Sequence, residues 1–452
     1  MQKTQNRRKI QLSDHFTYSR LIRFTLPSII IMIFSSLYGV VDGYFISNIV
    51  GKTAFASVNL IIPFVQIISG LGVLLGADGG SLISRTLGTG NREKAGRYFT
   101  MTMAALLFGG ILFTVVGLIT LRPAALYLGA TEEMLQDCLT YGRICIMFSW
   151  AQLAQNILLG YLVVAEKPKF ALRVMIFAFL LSIVLNVVFV GKDYLNLGVK
   201  GAALSTGISQ TVAAGIPFLW FISKRNKTAL RFRRTKIDLS VLRSVSYNGV
   251  TEIVSVLAAS IIGLLYNVQL MKYSGPDAVA AYGVVLYVSF VFTNVYTGYS
   301  NGALPVMGYN YGAVRFAQMR NVFKKSVVIL IMVTAAMLSV VTVFAHPIAE
   351  FFVGYDEKLL EMTIRTLSIC LLPFLFMWFN IYMSSVLSAI GKGATAAFLT
   401  VLRAIVFPVA CIFILPEIWG LDGVWYALTG AEVVSAIISM LVLASQKKKF
   451  GY

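Results

Sequence analysis

Charge is scarce in this chain. Only 13% of its 452 residues are Asp, Glu, Lys or Arg, against roughly 25% in soluble globular proteins. That is too little to cover a water-facing surface of this size, which excludes an ordinary soluble fold. Acids are scarcest, 19 against 38 Lys and Arg, so the net charge is +19. Histidine occurs twice, as His15 and His346. The four cysteines, Cys138, Cys145, Cys370 and Cys411, have no CxxC or other ligand spacing. No metal site is expected from these residues, and the cysteines read as small packing groups. There is also no GxxxxGK[ST] loop, so no recognisable ATP motor.

Apolar residues fill the gap. They make up 58% of the chain, and they are clustered. Segment 174–190 carries one serine, one asparagine and no charge, and 326–345 has no charged residue. Runs of about twenty apolar residues match a ~30 Å hydrocarbon core at ~1.5 Å per helical residue. Twelve such spans are read near 23–46, 54–78, 99–121, 138–161, 169–190, 199–222, 246–270, 279–302, 324–346, 364–390, 395–416 and 421–444. No alternating pattern of barrel strands is visible. The expected fold is an all-α polytopic membrane protein. Pro27, Pro63, Pro217, Pro373 and Pro408 fall inside spans, where neighbouring helices tolerate them and bends result.

The basic charge sets orientation. Most Lys and Arg lie before the first span, in the even-numbered loops and in the C-terminal tail, including segments 85–97, 167–173, 224–243 and 315–325. The odd loops carry the acids Glu132, Glu133, Asp137, Glu350, Asp356, Glu357 and Glu361. Short basic loops stay in the cytoplasm, so both termini are expected there. This placement accounts for the charge without nucleic acid. The first apolar stretch is too long for a signal-peptide core and is expected to remain as a span.

The chain also repeats itself. A shift of 224 residues lays Ala54 and Ala56 on Ala278 and Ala280, and Gly88 on Gly312; near the ends of the halves a shift of 222 lays Gly201 on Gly423. Six spans precede the basic segment 224–243 and six follow. An even number per repeat makes the halves parallel, related by a pseudo-two-fold along the membrane normal with a substrate path between them. The domains are expected at 1–222, a cytoplasmic linker at 223–245, and 246–452. The glycines of 76–80, 88–90 and 308–312 read as tight turns and close helix packing, with Arg85 and Arg315 as anchors at the cytoplasmic face.

Few ionisable side chains enter the spans, and these are the functional candidates because charge in a bilayer is costly. They are Asp42, Glu252, Arg403 and Glu432, with Asp78 at a span end. Asn248 and Ser255 share a helix face with Glu252 at i−4 and i+3, a polar stripe suited to a cavity wall. Arg403 and Glu432 are either cavity residues or partners of each other, the pairing being the favoured reading. Ser35, Tyr38 and Gly39 lie on the face of Asp42. A carboxylate there changes local charge by one unit on binding H⁺ or Na⁺. Tyr38 and Asn156 are assigned to the substrate cavity with Glu252, Asn248, Ser255, Arg403 and Glu432. No cluster of His, Asp, Cys or Ser–Lys gathers near one membrane face, so an integral-membrane enzyme is disfavoured, as is a receptor scaffold.

Order and spacing of several motifs carry a family resemblance. They are Val41-Asp42-Gly43-Tyr44-Phe45-Ile46, Ser84-Arg85-Thr86-Leu87-Gly88-Thr89-Gly90-Asn91, Glu166-Lys167-Pro168-Lys169, Leu197 to Thr206, and Pro305-Val306-Met307-Gly308-Tyr309-Asn310-Tyr311-Gly312. Together, over about residues 18–444, the chain resembles the multidrug and toxic compound extrusion (MATE) family, within a superfamily that includes lipid-linked oligosaccharide flippases. The resemblance implies two six-helix lobes around a V-shaped cavity. It also implies export of cationic or amphipathic compounds in exchange for H⁺ or Na⁺, with no cofactor beyond the coupling ion. Asp42 matches the family's first-lobe coupling aspartate, and Asn186 and Thr206 match polar residues near it. Some members have a second acid four residues past that asparagine; here the position is Val190, which favours H⁺ over Na⁺. Aromatics, at 13%, suit organic cations. The implied partners are small organic cations or drugs and membrane lipids, the implied location is the bacterial cytoplasmic membrane, and the working unit is taken as a monomer. A flippase for a lipid-linked or anionic metabolite is the alternative, disfavoured because Arg403 is the one basic residue deep in a span.

The orientation is testable. An impermeant thiol reagent applied to intact cells is expected to label Glu132→Cys and spare Lys227→Cys; the opposite pattern overturns the topology.

Overall fold

The computed structural model describes residues 10–73, 79–235, 238–354 and 356–445. Several of its helices start where a polar side chain accepts a free N–H of the first turn. Thr17 caps α1 (Tyr18–Phe45) by accepting from the Arg20 N–H. After a wide turn at Ile46–Val50, α2 (Lys52–Val73) and α3 (Gly79–Gly88) follow. Asn91 caps α4 (Arg92–Tyr127) and Thr131 caps α5 (Glu132–Val164). The first half ends with α6 (Pro168–Val190), which has proline in its first turn, and α7 (Gly198–Ile222). The second half holds α8 (Leu239–Ser274), α9 (Pro276–Gly312), α10 (Phe316–Val343), α11 (Ala345–Val353), α12 (Glu357–Cys370), α13 (Phe374–Ala389), α14 (Gly393–Val401) and α15 (Phe407–Ser445). Every regular element among the described residues is helical.

Nine described helices are long and apolar enough to cross a bilayer, or ten when α12 and α13, bent by 46°, count as one span. The expected twelve passes need α8 as a further span and α15 divided in two. That division is marked at Gly420, whose φ of 58° and ψ of −135° interrupt the helix. The sequence places a loop around 416–423; the structure instead keeps the chain helical up to a single glycine, because Pro416 is accommodated inside α15. Beyond the second expected span the chain is helical in α3, where the sequence reading has a post-span turn. The turn itself is at Gly90, with φ of 82°.

In the first lobe, Phe99, Tyr161 and Phe221 anchor one cluster, and Ile46, Ile61 and Ile146 another. Tyr266, Tyr282 and Trp425 anchor one in the second lobe, while the cluster of Tyr296, Phe374 and Tyr382 also takes in Leu21 and Phe24 of α1 and so joins the lobes. Large side chains such as Phe108, Ile119, Leu219 and Leu264 remain more than 60% exposed, as a lipid-facing surface permits.

The lobes meet along a glycine seam on α9. Gly298 and Gly302, then Gly308 and Gly312, repeat the small-xxx-small spacing that lets membrane helices approach backbone to backbone. A Cβ on Gly298 would lie 2.6 Å from the Ile29 Cα of α1, and one on Gly302 would lie 2.9 Å from the Thr25 Cα. A methyl on Gly312 would overlap the Arg85 carbonyl oxygen, and one on Gly88 the Tyr309 carbonyl oxygen. Ser81 Oγ donates to the Ser388 carbonyl at 2.6 Å, and the Arg85 guanidinium packs against Gly391 in the turn before α14. These contacts close the two lobes together at the end of the bundle that carries Arg85, Arg315 and segment 223–235, the basic end. The expected glycine turns at 76–80 lie partly outside the described residues, since 76–78 are not described.

A strap formed by residues 10–17 crosses the same end. Leu12 and Phe16 are buried. The Leu12 N–H donates to Glu166 Oε1 of the first lobe at 2.7 Å. Asn321 Nδ2 and Lys325 Nζ of the second lobe both donate to the Phe16 carbonyl, at 3.2 and 2.7 Å, and Arg315 Nη1 donates to that of Ser13 at 3.1 Å. Burial pushes the Glu166 carboxyl above its ordinary pKa; the Leu12 bond pulls it down, Asp14 pushes it up, and Arg92 and Lys167 pull it down.

Gly312→Val tests the seam. Its side chain has no room while the lobes are closed, and overpacking of this kind costs about 1–3 kcal/mol. Disulfide cross-linking between Thr89→Cys and Val314→Cys is expected to fall by at least about fivefold in the valine variant. Undiminished cross-linking would mean the seam does not govern closure.

Candidate functional site

Among the described residues, one carboxylate is deeply buried in the first lobe with no ion-pair partner. Asp42 is 4% exposed, near the far end of α1 from the strap. Its Oδ1 accepts from Asn186 Nδ2 of α6 at 3.0 Å, and its Oδ2 from Thr206 Oγ1 of α7 at 2.7 Å. Three helices therefore converge on one side chain. The Asn186 amide also donates to the Ser182 carbonyl at 3.1 Å. Just past Asp42 the helix widens into the π-turn Ile46–Val50, and the Ile46 N–H is shared between the carbonyls of Asp42 and Gly43. Such widenings inside helices recur at functional sites.

Oxygens without partners surround this carboxylate. Tyr38 Oη, Ser182 Oγ and Asn186 Oδ1 are buried and unpaired among the described residues. An unmet buried polar group costs about 1–3 kcal/mol, and three such oxygens lie in one neighbourhood here. Tyr38 lies one turn before Asp42, with its ring edge-on to Phe179 at 5.7 Å. Val190, fully buried, occupies the next turn of α6 after Asn186, so no second carboxylate joins the site from there. Among the described residues no group of three or more His, Cys, Asp or Glu side chains gathers as metal ligands would.

A cavity of about 320 Å³ lies between the lobes. Its wall includes Ser28, Met32 and Ser35 of α1, Asn156 and Gly160 of α5, and Thr297, Asn301 and Pro305 of α9. Ser35 is seven residues before Asp42, ~10 Å along the helix, so α1 spans from cavity wall to buried carboxylate. The structure thus puts Asn156 on the cavity, and Tyr38 with Asp42 in the packed interior beyond it. Thr297 and Asn301 were not legible as cavity residues; an amide and a hydroxyl one turn apart in an apolar span were the available signal.

The other acid sits in the second lobe, away from that wall. Glu432 is 3% exposed on α15. Its Oε1 accepts from Arg403 Nη1 at 3.0 Å, and its Oε2 from Asn380 Nδ2 of α13 at 2.7 Å. Ser439 Oγ donates to Asn380 Oδ1 at 3.1 Å and completes the chain. Arg403 lies in a second π-turn, Leu402–Val406. Asn380 was missed in the sequence, hidden among Phe, Met and Trp. Asn248 and Glu252 belong to α8, but their side chains lie outside the described residues; Ser255 is half-buried there.

Comparison with known proteins follows this geometry. The profile of the family described as MatE matches twice, at residues 27–188 and 252–414, once in each half. The multidrug export protein MepA of Staphylococcus haemolyticus is 25% identical over 434 residues, covering 96% of this chain and 94% of that protein. MepA of Staphylococcus aureus strain NCTC 8325 is 26% identical over 432 residues, covering 94% and 93%. Among solved structures, an outward-facing multidrug resistance MATE transporter superposes with a TM-score of 0.89 at 22% identity, covering 98% of this chain and 99% of that one. A transporter of the MOP superfamily from Pyrococcus furiosus gives 0.88 at 23%, covering 97% and 98%.

The second-lobe pair makes its own prediction. Removing one partner of a buried ion pair costs about 3–5 kcal/mol, while replacing both with apolar groups is far cheaper. Arg403→Met is therefore expected to lower the melting temperature clearly, and Arg403→Met with Glu432→Met to recover most of the loss. A double variant no more stable than Arg403→Met would show that the pair is not coupled.

Proposed function

This chain belongs to the MatE family, and on that premise we propose that it is a secondary active exporter of amphipathic, mostly cationic compounds, driven by H⁺ entering through Asp42. The observation that carries the reading is a buried carboxylate tied to two other helices by neutral donors. A cation partner would hold the charge permanently; hydroxyl and amide donors leave it free to be neutralised by a proton.

The chemistry follows from the atoms. Ionised Asp42 accepts on both oxygens and pulls α1 onto α6 and α7. A proton on one oxygen creates a new O–H, which needs an acceptor. Rotation of the Asn186 amide offers its unspent oxygen. The charge-assisted bonds, the stronger kind, are then replaced by weaker neutral ones, and the packing of α1 changes. Because Ser28, Met32 and Ser35 of the same helix line the cavity, proton binding at one end alters the substrate wall at the other. An ion that prefers one packing of α1 shifts the population of the two states by that preference. H⁺ is favoured over Na⁺, since Val190 leaves a single first-lobe carboxylate and a desolvated cation wants more oxygen charge.

The cavity suits amphipathic compounds: Ile31, Met32, Leu153 and Met175 supply soft apolar contact, and Asn156, Thr297 and Asn301 supply hydrogen bonds. Both lobes needed for this wall belong to one chain, which supports a monomer as the working unit. The MepA relatives, named as multidrug export proteins, support export from a bacterial cytoplasm. The basic end then faces the cytoplasm, and the closed seam corresponds to a cavity shut on that side.

The decisive experiment uses the purified protein in liposomes with a fluorescent organic cation. A proton gradient is expected to drive transport, and a sodium gradient alone is not. Asp42→Asn, which keeps the shape and removes the titration, is expected to reduce transport to the rate of empty liposomes while the cation still binds. Thr206→Val, which removes one hydrogen bond worth about 1.5–3 kcal/mol to a charged group, is expected to lower the rate by about tenfold or more. Wild-type rates from Asp42→Asn would remove Asp42 from the coupling role.

A further inference from the structure

The segment joining the lobes has a fold of its own, although its sequence reads as a charged linker. Asn226, fully buried, organises it. The Asn226 amide donates to the carbonyls of Phe221 and Leu230 at 3.2 and 2.7 Å, and Oδ1 accepts from the Thr228 N–H and hydroxyl at 2.9 and 2.7 Å. The Arg231 guanidinium closes the loop by donating to the Asn226 carbonyl.

The loop then turns back along α4 instead of running into water. The Arg233 N–H donates to Thr100 Oγ1 at 2.8 Å. Gly96 makes room for it, since a Cβ there would meet the Arg233 side chain at 2.9 Å and the Arg231 carbonyl at 3.2 Å. The Phe232 ring lies 5.0 Å from Phe99 and 5.8 Å from Phe218. Thr100 is eight residues into a helix read as a membrane span, ~12 Å along its axis, so the loop sits at the bilayer boundary.

Two kinds of surface meet there. Lys224, Arg225, Lys227, Arg231, Arg233 and Arg234 are all exposed, and residues 223–237 contain no acid. None of the six has a carboxylate partner among the described ion pairs. Beside them Leu219, Ile222 and Phe232 expose 67%, 56% and 38% of their surface. Guanidinium groups on an ordered loop above an apolar ledge match a ligand with an anionic head and a hydrocarbon tail. Guanidinium is the side chain best shaped for phosphate. A nucleic acid or an acidic peptide would use the charge and leave the ledge uncovered.

We propose that segment 223–235, seated on α4 and α7, is a binding site for an anionic phospholipid, its phosphate held by Arg233 and Arg234 and its acyl chains lying against Leu219, Ile222 and Phe232. A lipid bound there fastens the connection between the lobes to the first lobe at the membrane surface. The site stands apart from the coupling carboxylate and does not depend on which compound is exported.

The test measures lipid, not transport. Purified protein in neutral detergent is titrated with phosphatidylglycerol or phosphatidylcholine, and thermal unfolding is followed. Phosphatidylglycerol is expected to raise the melting temperature and phosphatidylcholine to leave it nearly unchanged. In Arg233→Gln/Arg234→Gln the apparent affinity for phosphatidylglycerol is expected to drop by about tenfold or more, with Arg233→Lys/Arg234→Lys keeping most of it. Lys169→Gln/Arg173→Gln, which removes as much exposed charge from α6 at the same end, is expected to behave as wild type. An equal loss in that control means a diffuse surface potential and overturns the site, as does an unchanged response of Arg233→Gln/Arg234→Gln. The same stabilisation from glycerol phosphate or from an oligonucleotide overturns it too, because neither fills the ledge.

Discussion

Hydrocarbon offers no hydrogen bond, and the architecture follows from that. Each backbone N–H and C=O must be met within its own segment, which leaves helices as the element for this chain. Each charge carried into a span must be met by a neighbour or neutralised. Among the described residues two carboxylates are deeply buried, and they answer the second demand differently. Glu432 has Arg403 and Asn380, so it is compensated in place. Asp42 has two neutral donors, so its compensation is incomplete until something else arrives. On the proposed reading, that difference separates a fixed structural ion pair from the group that responds to a gradient.

The internal repeat sharpens the contrast. Shifted by 224 residues, Asp42 falls on Tyr266. Tyr266 is buried and stacked on Tyr282, with ring centroids 4.8 Å apart and planes 6° apart. The second lobe therefore fills the equivalent place with aromatic packing. The described buried acid of that lobe, Glu432, is on α15, next to α14 and α13. The halves share a fold and divide the chemistry, as expected when packing constrains a duplicated scaffold more tightly than its polar side chains do.

On the proposed reading, alternating access asks for an interface that closes tightly and still separates. Glycine meets both needs. The seam on α9 brings backbones into contact without interlocking side chains, so closing gains van der Waals contact and opening breaks few specific bonds. The bonds that do cross, from Ser81 to Ser388 and through the strap from Glu166 by way of Leu12 and Phe16 to Lys325, gather at the basic end. The Asp42 site lies toward the other end of α1. On the proposed reading, α1, with one end in the seam and the other carrying Asp42, links the two.

The bilayer acts on a one-dimensional property, the run of apolar residues, so that part was legible in the sequence: helix as the regular element of the described residues, two lobes, and glycine at close contacts. Resemblance to relatives added Asn186 and Thr206. Tertiary structure decided which faces meet. Asn186 and Thr206 reach Asp42 across 144 and 164 residues of chain, and Asn380 reaches Glu432 across 52. Thr297 and Asn301 turn toward the same space as Asn156, while Arg403 turns away from it to Glu432. Each outcome depends on the rotation of one helix against its neighbours. Rotation is set by the packing of many side chains at once, and hydrophobic periodicity, nearly uniform around helices that touch lipid, protein and cavity, leaves it undetermined.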